Sequence, residues 1–573
     1  MSRGVIALGL VPLLVSAVTV FVRVRSSYYP AGDVAGTELQ VRDVGHHPVL
    51  LGLFSRDGWN HPGPILFYVL AVPYRLTGGR SIGLLLGALL INGAAILGMA
   101  LIARRHGGTP LLLLTLLGCG LVVRSFGPDL VRDPWNVSIT VLPFGLLVFL
   151  TWEMISGSAW ALPAGAFVAS FCIQTHVGYA LLAAPLLVLG TSCLVAQSYR
   201  RVQAGRAAAV RRSRPLRAAL VAAGVLVVLW LPPVLQQITA AHGNLGKIAG
   251  YFLDDSGKKA HTLAEGWRLT SNQFGSRPEW ITGHRAVIPL RFEPASLLHA
   301  AFPVYLLPFV GVAFALWRRG ERDAFWLTAT VGLTLSLGVV WVARTLGPVY
   351  DYRLGWIWVV TMFAFVATAW GAWRLVDERV RPTTRRALGV ACVVALGAIT
   401  LVNAVYAARP VGDAYSPQVA VLARQTTAAL PRGSGDVIVR CSGDEGCVYY
   451  AALILWLERH GISARTQSAY GLVGSDSAHR VHRHGPVRAI LDVEISKPFG
   501  KFDAAADRPG HRMIAYWGLL PRAERAQLVR RMTAIRAQRD AGTLDKTSFY
   551  VEALDLDRRL STAAVGVFLT QPH

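Results

Sequence analysis

The sequence predicts a polytopic α-helical membrane protein of about 11 transmembrane helices, followed by a C-terminal soluble α/β domain. Three observations carry that prediction. Long apolar runs recur up to Ala407, giving a mean hydropathy of +0.43. Charged residues are only 16% of the chain, well below the quarter typical of soluble domains. Beyond Arg409 the long apolar runs cease and the composition becomes that of a soluble domain.

Taken in order, the expected spans are Gly4–Val22, Ser81–Ala103, Thr109–Val123, Val137–Trp152, Trp160–Ile173 and Val177–Val195. Ala218–Ile238, Ala300–Leu316, Ala324–Val342, Leu354–Trp373 and Ala387–Ala407 complete them. A spanning helix needs about 20 apolar residues, fewer when it is short or distorted. The first run is longer than the apolar core of a signal peptide and lacks a small-x-small cleavage site. It reads as a retained helix.

The charges set the orientation. Arg200–Arg217 carries seven arginines and no acid, Arg374–Arg386 carries five, and Arg318–Asp323 carries three. Cytoplasmic loops collect cations in this way, so the N-terminus is expected inside. Ile65–Tyr74 is also apolar, but a span there would put the seven-arginine loop outside. "HPGPILFYVLAVPYRL" is therefore expected to lie in or dip into the outer leaflet. Residues 1–408 then form the membrane domain, with long outer loops at 23–80 and 239–299. Loops of about sixty residues are usually functional.

The tail, 409–573, is expected outside as an α/β domain. "DVIVR" (436–440), "VRAILDV" (487–493) and "AVGVFLT" (564–570) read as strands. "GCVYYAALILWLERHG" (446–461) and "RAERAQLVRRMTAIRAQR" (522–539) read as helices. A net charge of +24 raises the question of nucleic acid. The cations sit beside apolar runs and not on a separate patch interleaved with aromatics, so nucleic acid is excluded as a partner. The basic loop is suited instead to membrane lipid headgroups. Cys119, Cys172, Cys193 and Cys392 fall in apolar runs as core residues. Cys441 and Cys447 flank a short polar loop and are either a disulfide of an exported domain or two free thiols.

The first outer loop is unusually polar. Asp33 has a local explanation as an N-cap, and Glu38 has one as an i,i+4 partner of Arg42. Acids beside interfacial segments are nonetheless costly unless used. The other outer turns add Arg80, then Arg124, Asp129, Arg132 and Asp133, then His176, then Tyr350, Asp351, Tyr352 and Arg353. Carboxylates and arginines on one membrane face suit a general base that activates a hydroxyl, with guanidinium forks for a phosphate leaving group.

A first helix, an acidic outer loop, "HPGP" opening an interfacial helix and an arginine heading the next span together resemble the GT-C glycosyltransferases. The run "RSFGPDLVRDPWN" and the exported tail resemble that pattern too. The resemblance implies a glycosyltransferase using a polyprenyl-phosphate sugar donor and a glycan, lipid or protein acceptor at the outer face of the cell membrane. It implies Asp33 as catalytic base, Glu38 as the second acidic site, and His61 at the position before proline. Arg80, Arg124, Arg132, Asp133, His176 and Arg353 are the expected substrate-binding residues. Val34 follows Asp33 where the family commonly has a second acid, which leaves open which acid is the base. No cofactor is certain. His61, His176, Asp33 and Glu38 are candidates for a divalent metal, although no ligand spacing is diagnostic. The alternatives are a transporter and a non-catalytic scaffold or sensor displaying the tail.

Overall fold

The computed structural model describes the chain except for 204–213, 254–259, 283–301, 412–414, 474–476, 496–509, 545–548 and 571–573, together with scattered single or paired positions. Asp254, Asp255 and most of the seven-arginine loop lie outside the described residues. The chain divides into two compact units. One comprises Met1–Arg25, Leu50–Gly52 and Trp59–Val411, and the other Ser26–Val49, Leu53–Gly58 and Gly412–His573.

The first unit is helical. Among the described residues, seven helices are long and apolar enough to cross a membrane: Ser2–Val24, Ile82–Phe126, Val177–Arg200, Pro215–Thr239, Arg322–Ala343, Asp351–Arg379 and Pro382–Ala407. Ile82–Phe126 is broken at Gly108, whose φ of 59° and ψ of −147° interrupt the helix two residues before Pro110. Only glycine adopts such a conformation cheaply, so one continuous apolar segment becomes the two predicted spans. Val141–Ile155, Ala161–Thr175 and Leu306–Arg319 are shorter helices over the remaining predicted spans.

Small residues let the central helix Gly355–Val376 approach its neighbours. Gly118 faces Met362, Gly145 faces Val359 and Phe363, and Gly338 faces the Trp356 ring. In a membrane body, where burial gains little against lipid, such close packing supplies much of the association energy. Ile65–Leu76 packs Leu70 and Tyr74 against Gly87 and Gly83 of the Ile82–Phe126 helix, while Val72 and Leu76 stay exposed. The opposite helix ends hold a charged group in which Glu153, buried, pairs with Arg105 and His106.

The second unit is built on a five-stranded sheet of order β2-β1-β3-β5-β4. Its strands are β1 Asp436–Cys441, β2 Ala464–Arg465, β3 Val487–Ile495, β4 His511–Gly518 and β5 Ala564–Thr570. β1 pairs in parallel with β2 and β3, whereas β5 runs antiparallel to β3 and β4. The helix Gly443–Arg459 makes the crossover from β1 to β2 and ends before Gly461, which takes a φ of 72°. The predicted strands and helices of the tail are all present. β2, β4 and the helix Ser416–Ala429 are additions. Cys441 is disulfide-bonded, and Cys119, Cys172, Cys193 and Cys392 are free; the Cys447 side chain lies outside the described residues.

One expectation is corrected here. Ser26–Val49, read as part of the membrane domain's outer loop, groups with the C-terminal unit. Its helix Gly32–Asp43 presents Ala31, Ala35 and Leu39 at four-residue spacing, and these side chains enter the same core as Val437, Leu453 and Leu457. That apolar stripe is what a helix needs to dock on a sheet domain.

Candidate functional site

The polar residues of the first unit gather at one set of helix ends. His61 precedes the Ile65–Leu76 helix, and His176 lies between Ala161–Thr175 and the next helix. Asp133 precedes Val141–Ile155, and Arg353 sits in the turn Asp351–Leu354 at the head of Gly355–Val376. The His61 and His176 rings are 4.7 Å apart. His61 is 6% exposed, and its Nδ1 accepts the Val177 N–H at 3.3 Å. His176 Nδ1 accepts the Gly178 N–H at 3.2 Å. An Nδ1 that accepts leaves the proton on Nε2 of a neutral ring. Burial, reinforced by the nearby charge of Arg353, pulls the His176 imidazole well below the ordinary histidine range.

Arg353 lies between two aromatic faces, 5.5 Å from the Tyr350 ring and 5.6 Å from that of Tyr352. Its Nε donates to the Tyr352 hydroxyl at 3.2 Å. No carboxylate among the described residues pairs with it, and its two terminal nitrogens keep their donors. Tyr352 in turn packs on Trp135 at 5.2 Å, and Asp133 accepts the Trp135 N–H at 3.0 Å. Trp341 closes the group by donating to the Gly178 carbonyl at 2.7 Å. His61, Asp133, His176 and Arg353 are thus brought together with aromatic walls. Such a site offers a fixed guanidinium fork for an anion and flat apolar faces for a sugar ring.

The other predicted residues lie elsewhere. Arg80 is exposed just ahead of the Ile82–Phe126 helix. Arg124 is also exposed and donates to the Ile281 carbonyl at 3.0 Å. Arg132 is corrected as a substrate ligand. It is 1% exposed, bonds Asp129 at 2.7 Å, and donates to the Arg409 and Pro410 carbonyls, each at 3.1 Å. Its fork caps the end of the Pro382–Ala407 helix, where carbonyls lack intrahelical donors.

In the second unit, Asp33 occupies the first turn of Gly32–Asp43 and is partly exposed. The N-cap is Ala31, so Asp33 is not the cap that its position in the sequence implied. Its charge still favours the helix start. Glu38 is corrected on both counts. It is fully buried and pairs with Arg459, not Arg42, and Arg42 lies 3.8 Å from Glu458 instead. A carboxylate in that position ties the Gly32–Asp43 helix to the Gly443–Arg459 helix. Asp33 and Glu38 belong to one unit and His61 and His176 to the other. Trp341 and Arg459 had no local signal in the sequence, since each acts through a partner far along the chain.

No family model and no curated protein matches the chain. Solved structures do. ArnT from Cupriavidus metallidurans, solved with undecaprenyl phosphate bound, aligns with a TM-score of 0.51 at 14% identity, over 86% of this chain and 93% of that one. Its apo form gives 0.50 at the same identity. The oligosaccharyltransferase of Archaeoglobus fulgidus aligns with a TM-score of 0.39 at 10% identity, over 84% of this chain and 69% of that one. The ArnT alignment covers most of both chains, and with it the chain is a multi-pass membrane protein that has the fold of ArnT.

Proposed function

We propose that the protein is a glycosyltransferase that moves a sugar from a polyprenyl-phosphate carrier to an exported glycan, lipid or protein acceptor at the outer face of the membrane. Arg353 is the observation that carries this reading: a guanidinium held by two tyrosines, with unused donors, beside a neutral histidine pair. Support also comes from ArnT, which has the same fold and was solved with undecaprenyl phosphate.

In the proposed reaction a general base takes the proton of the acceptor hydroxyl as its oxygen attacks the anomeric carbon, and the family resemblance assigns that role to Asp33. The bond from that carbon to the carrier phosphate breaks, and the polyprenyl phosphate leaves with the electron pair, its charge met by Arg353. A single displacement inverts the anomeric centre. His61 and His176, each with a proton on Nε2, donate to sugar or phosphate oxygens without adding charge.

The decisive variant is Asp33→Asn. Asn keeps the shape but takes no proton, and loss of a general base costs roughly 10²–10⁴-fold in rate. Transfer from a polyprenyl-phosphate sugar by the purified protein is expected to fall by that factor with an unchanged melting temperature. Full activity in Asp33→Asn moves the base elsewhere, and no transfer by the wild type with any such donor removes the reading itself.

A further inference from the structure

The second unit holds a cluster that the transferase reading does not use. Asp43 ends the helix Gly32–Asp43, and Gly45, at a φ of 81°, turns the chain back so that the His46 and His47 N–H groups both bond the Asp43 carbonyl at 2.8 Å. That turn brings His47 beside its own helix end. His479 arrives from the short helical turn Ala478–Arg480, and its ring stacks on that of His47 at 3.7 Å with an interplanar angle of 10°. One ligand atom each from Asp43, His47 and His479 all lie within 4.8 Å of one another.

Three details favour an ion over a plain hydrogen-bonded cluster. His479 Nε2 is buried and makes no hydrogen bond, although Asp43 Oδ1 is only 3.3 Å away. Metal bonds of about 2.0–2.2 Å to nitrogen and oxygen at a tetrahedral angle separate two ligand atoms by about 3.3–3.5 Å. That is the spacing of an ion's ligands and is long for a charge-assisted hydrogen bond. Finally, Arg480 grips both oxygens of Asp43, Nη1 to Oδ2 at 2.5 Å and Nη2 to Oδ1 at 2.8 Å. Glu458 offsets the Arg480 charge by accepting from Nε at 2.7 Å. Hydrogen-bonded carboxylates of this kind are how proteins orient a metal ligand; Oδ2 also accepts from Ser477 Oγ at 3.4 Å, so Oδ1, with one donor, is the oxygen that keeps a lone pair for the ion.

We propose that Asp43, His47 and His479 bind a divalent transition ion of the zinc class, which clasps Ser26–Val49 to the C-terminal fold. Two imidazoles and one carboxylate select such an ion over calcium or magnesium, which take oxygen ligands. His47, on the exposed turn, swings its ring out of the stack to complete the third bond, and water fills the fourth position. The site is independent of the transferase reading and stands whether or not sugar transfer is found.

Cobalt(II) is the probe, because its visible absorption reports tetrahedral coordination directly. The full chain, purified in detergent and stripped with a chelator, is titrated with cobalt and then with zinc as competitor. One equivalent is expected to bind with a tetrahedral spectrum, and zinc is expected to displace it and raise the melting temperature. His47 is exposed, so His47→Ala keeps the fold; with it, affinity is expected to fall by at least about tenfold and the thermal shift to vanish. His479→Ala is expected to behave in the same way. Equal cobalt binding by wild type and His47→Ala overturns the site, as does a wild type that takes up none. Loss of binding in His176→Ala with retention in His47→Ala places the ion in the helical unit and overturns it equally.

Discussion

Arg353 and Glu38 are both polar residues in an apolar environment, and their partners separate their roles. Arg353 rests on Tyr350 and Tyr352 with donors unspent, so its contribution is realised only when an anion arrives. Arg353→Lys keeps the charge but loses the planar fork. A hydrogen bond to a charged group contributes about 1.5–3 kcal/mol, so turnover with a polyprenyl-phosphate donor is expected to fall roughly ten- to a hundredfold. Unaltered kcat and KM in that variant would make Arg353 a helix-end anchor. The helix-end positions of His61, His176 and Arg353 were legible in the sequence because each borders an apolar run, and counting the runs sorts them to one end. Glu38 was not legible. Its partner Arg459 is 421 positions away, and an i,i+4 arginine stood ready as a local explanation.

At the scale of elements, the spans were readable because each apolar run carries its own evidence of length and flanking charge. Gly338 shows what such runs conceal. A Cβ there would lie 2.5 Å from Cη2 of Trp356, so the glycine sets how closely two helices approach. Gly338→Val is expected to lower stability by about 1–3 kcal/mol through overpacking, read as a lower melting temperature in detergent. β4 escaped notice because "HRMIAYWG" alternates weakly and pairs only with β5, which arrives near the chain's end. Within the sheet, burial disfavours the charged form of Asp492. Hydrogen bonds from Arg440 and Thr570 outweigh it and hold the carboxyl below its usual range. A carboxyl depressed in the folded state contributes stability that is whole above its unfolded pKa and lost as pH falls through the folded value. The unit is expected to weaken below about pH 4, and Asp492→Asn to lose stability at neutral pH while flattening that acid limb in thermal melts.

On the scale of the whole molecule, the orientation rests on the arginine-rich loops. A cysteine at Ser156, exposed in the turn after Val141–Ile155, is expected to resist an impermeant thiol reagent in intact cells. One at Ser434, exposed before β1, is expected to react above the background of the native cysteines. The reverse pattern would invert the molecule and move the Arg353 site to the cytoplasm. Fold class was legible at this scale, since hydropathy separates a helical body from a soluble tail. The division between units was not, because Ala31, Ala35 and Leu39 fit a lipid-facing stripe as well as a domain core.

That shared core sets a rule of arithmetic for biogenesis. Ser26–Val49 leaves the ribosome long before β1, yet both must end on the same side of the bilayer to fill one interior. The number of crossings between Val49 and Gly412 is therefore even. Among the described residues, the two halves of Ile82–Phe126, the other five long helices of that stretch and the three shorter ones match ten predicted spans, an even number. Ile65–Leu76, at 12 residues or about 18 Å, must then stay on one side. A single span inserted wrongly strands the early segment and the late domain on opposite faces, leaving Ala35 and Leu39 without their core. The folded tail is thus a parity check on the membrane insertion that precedes it.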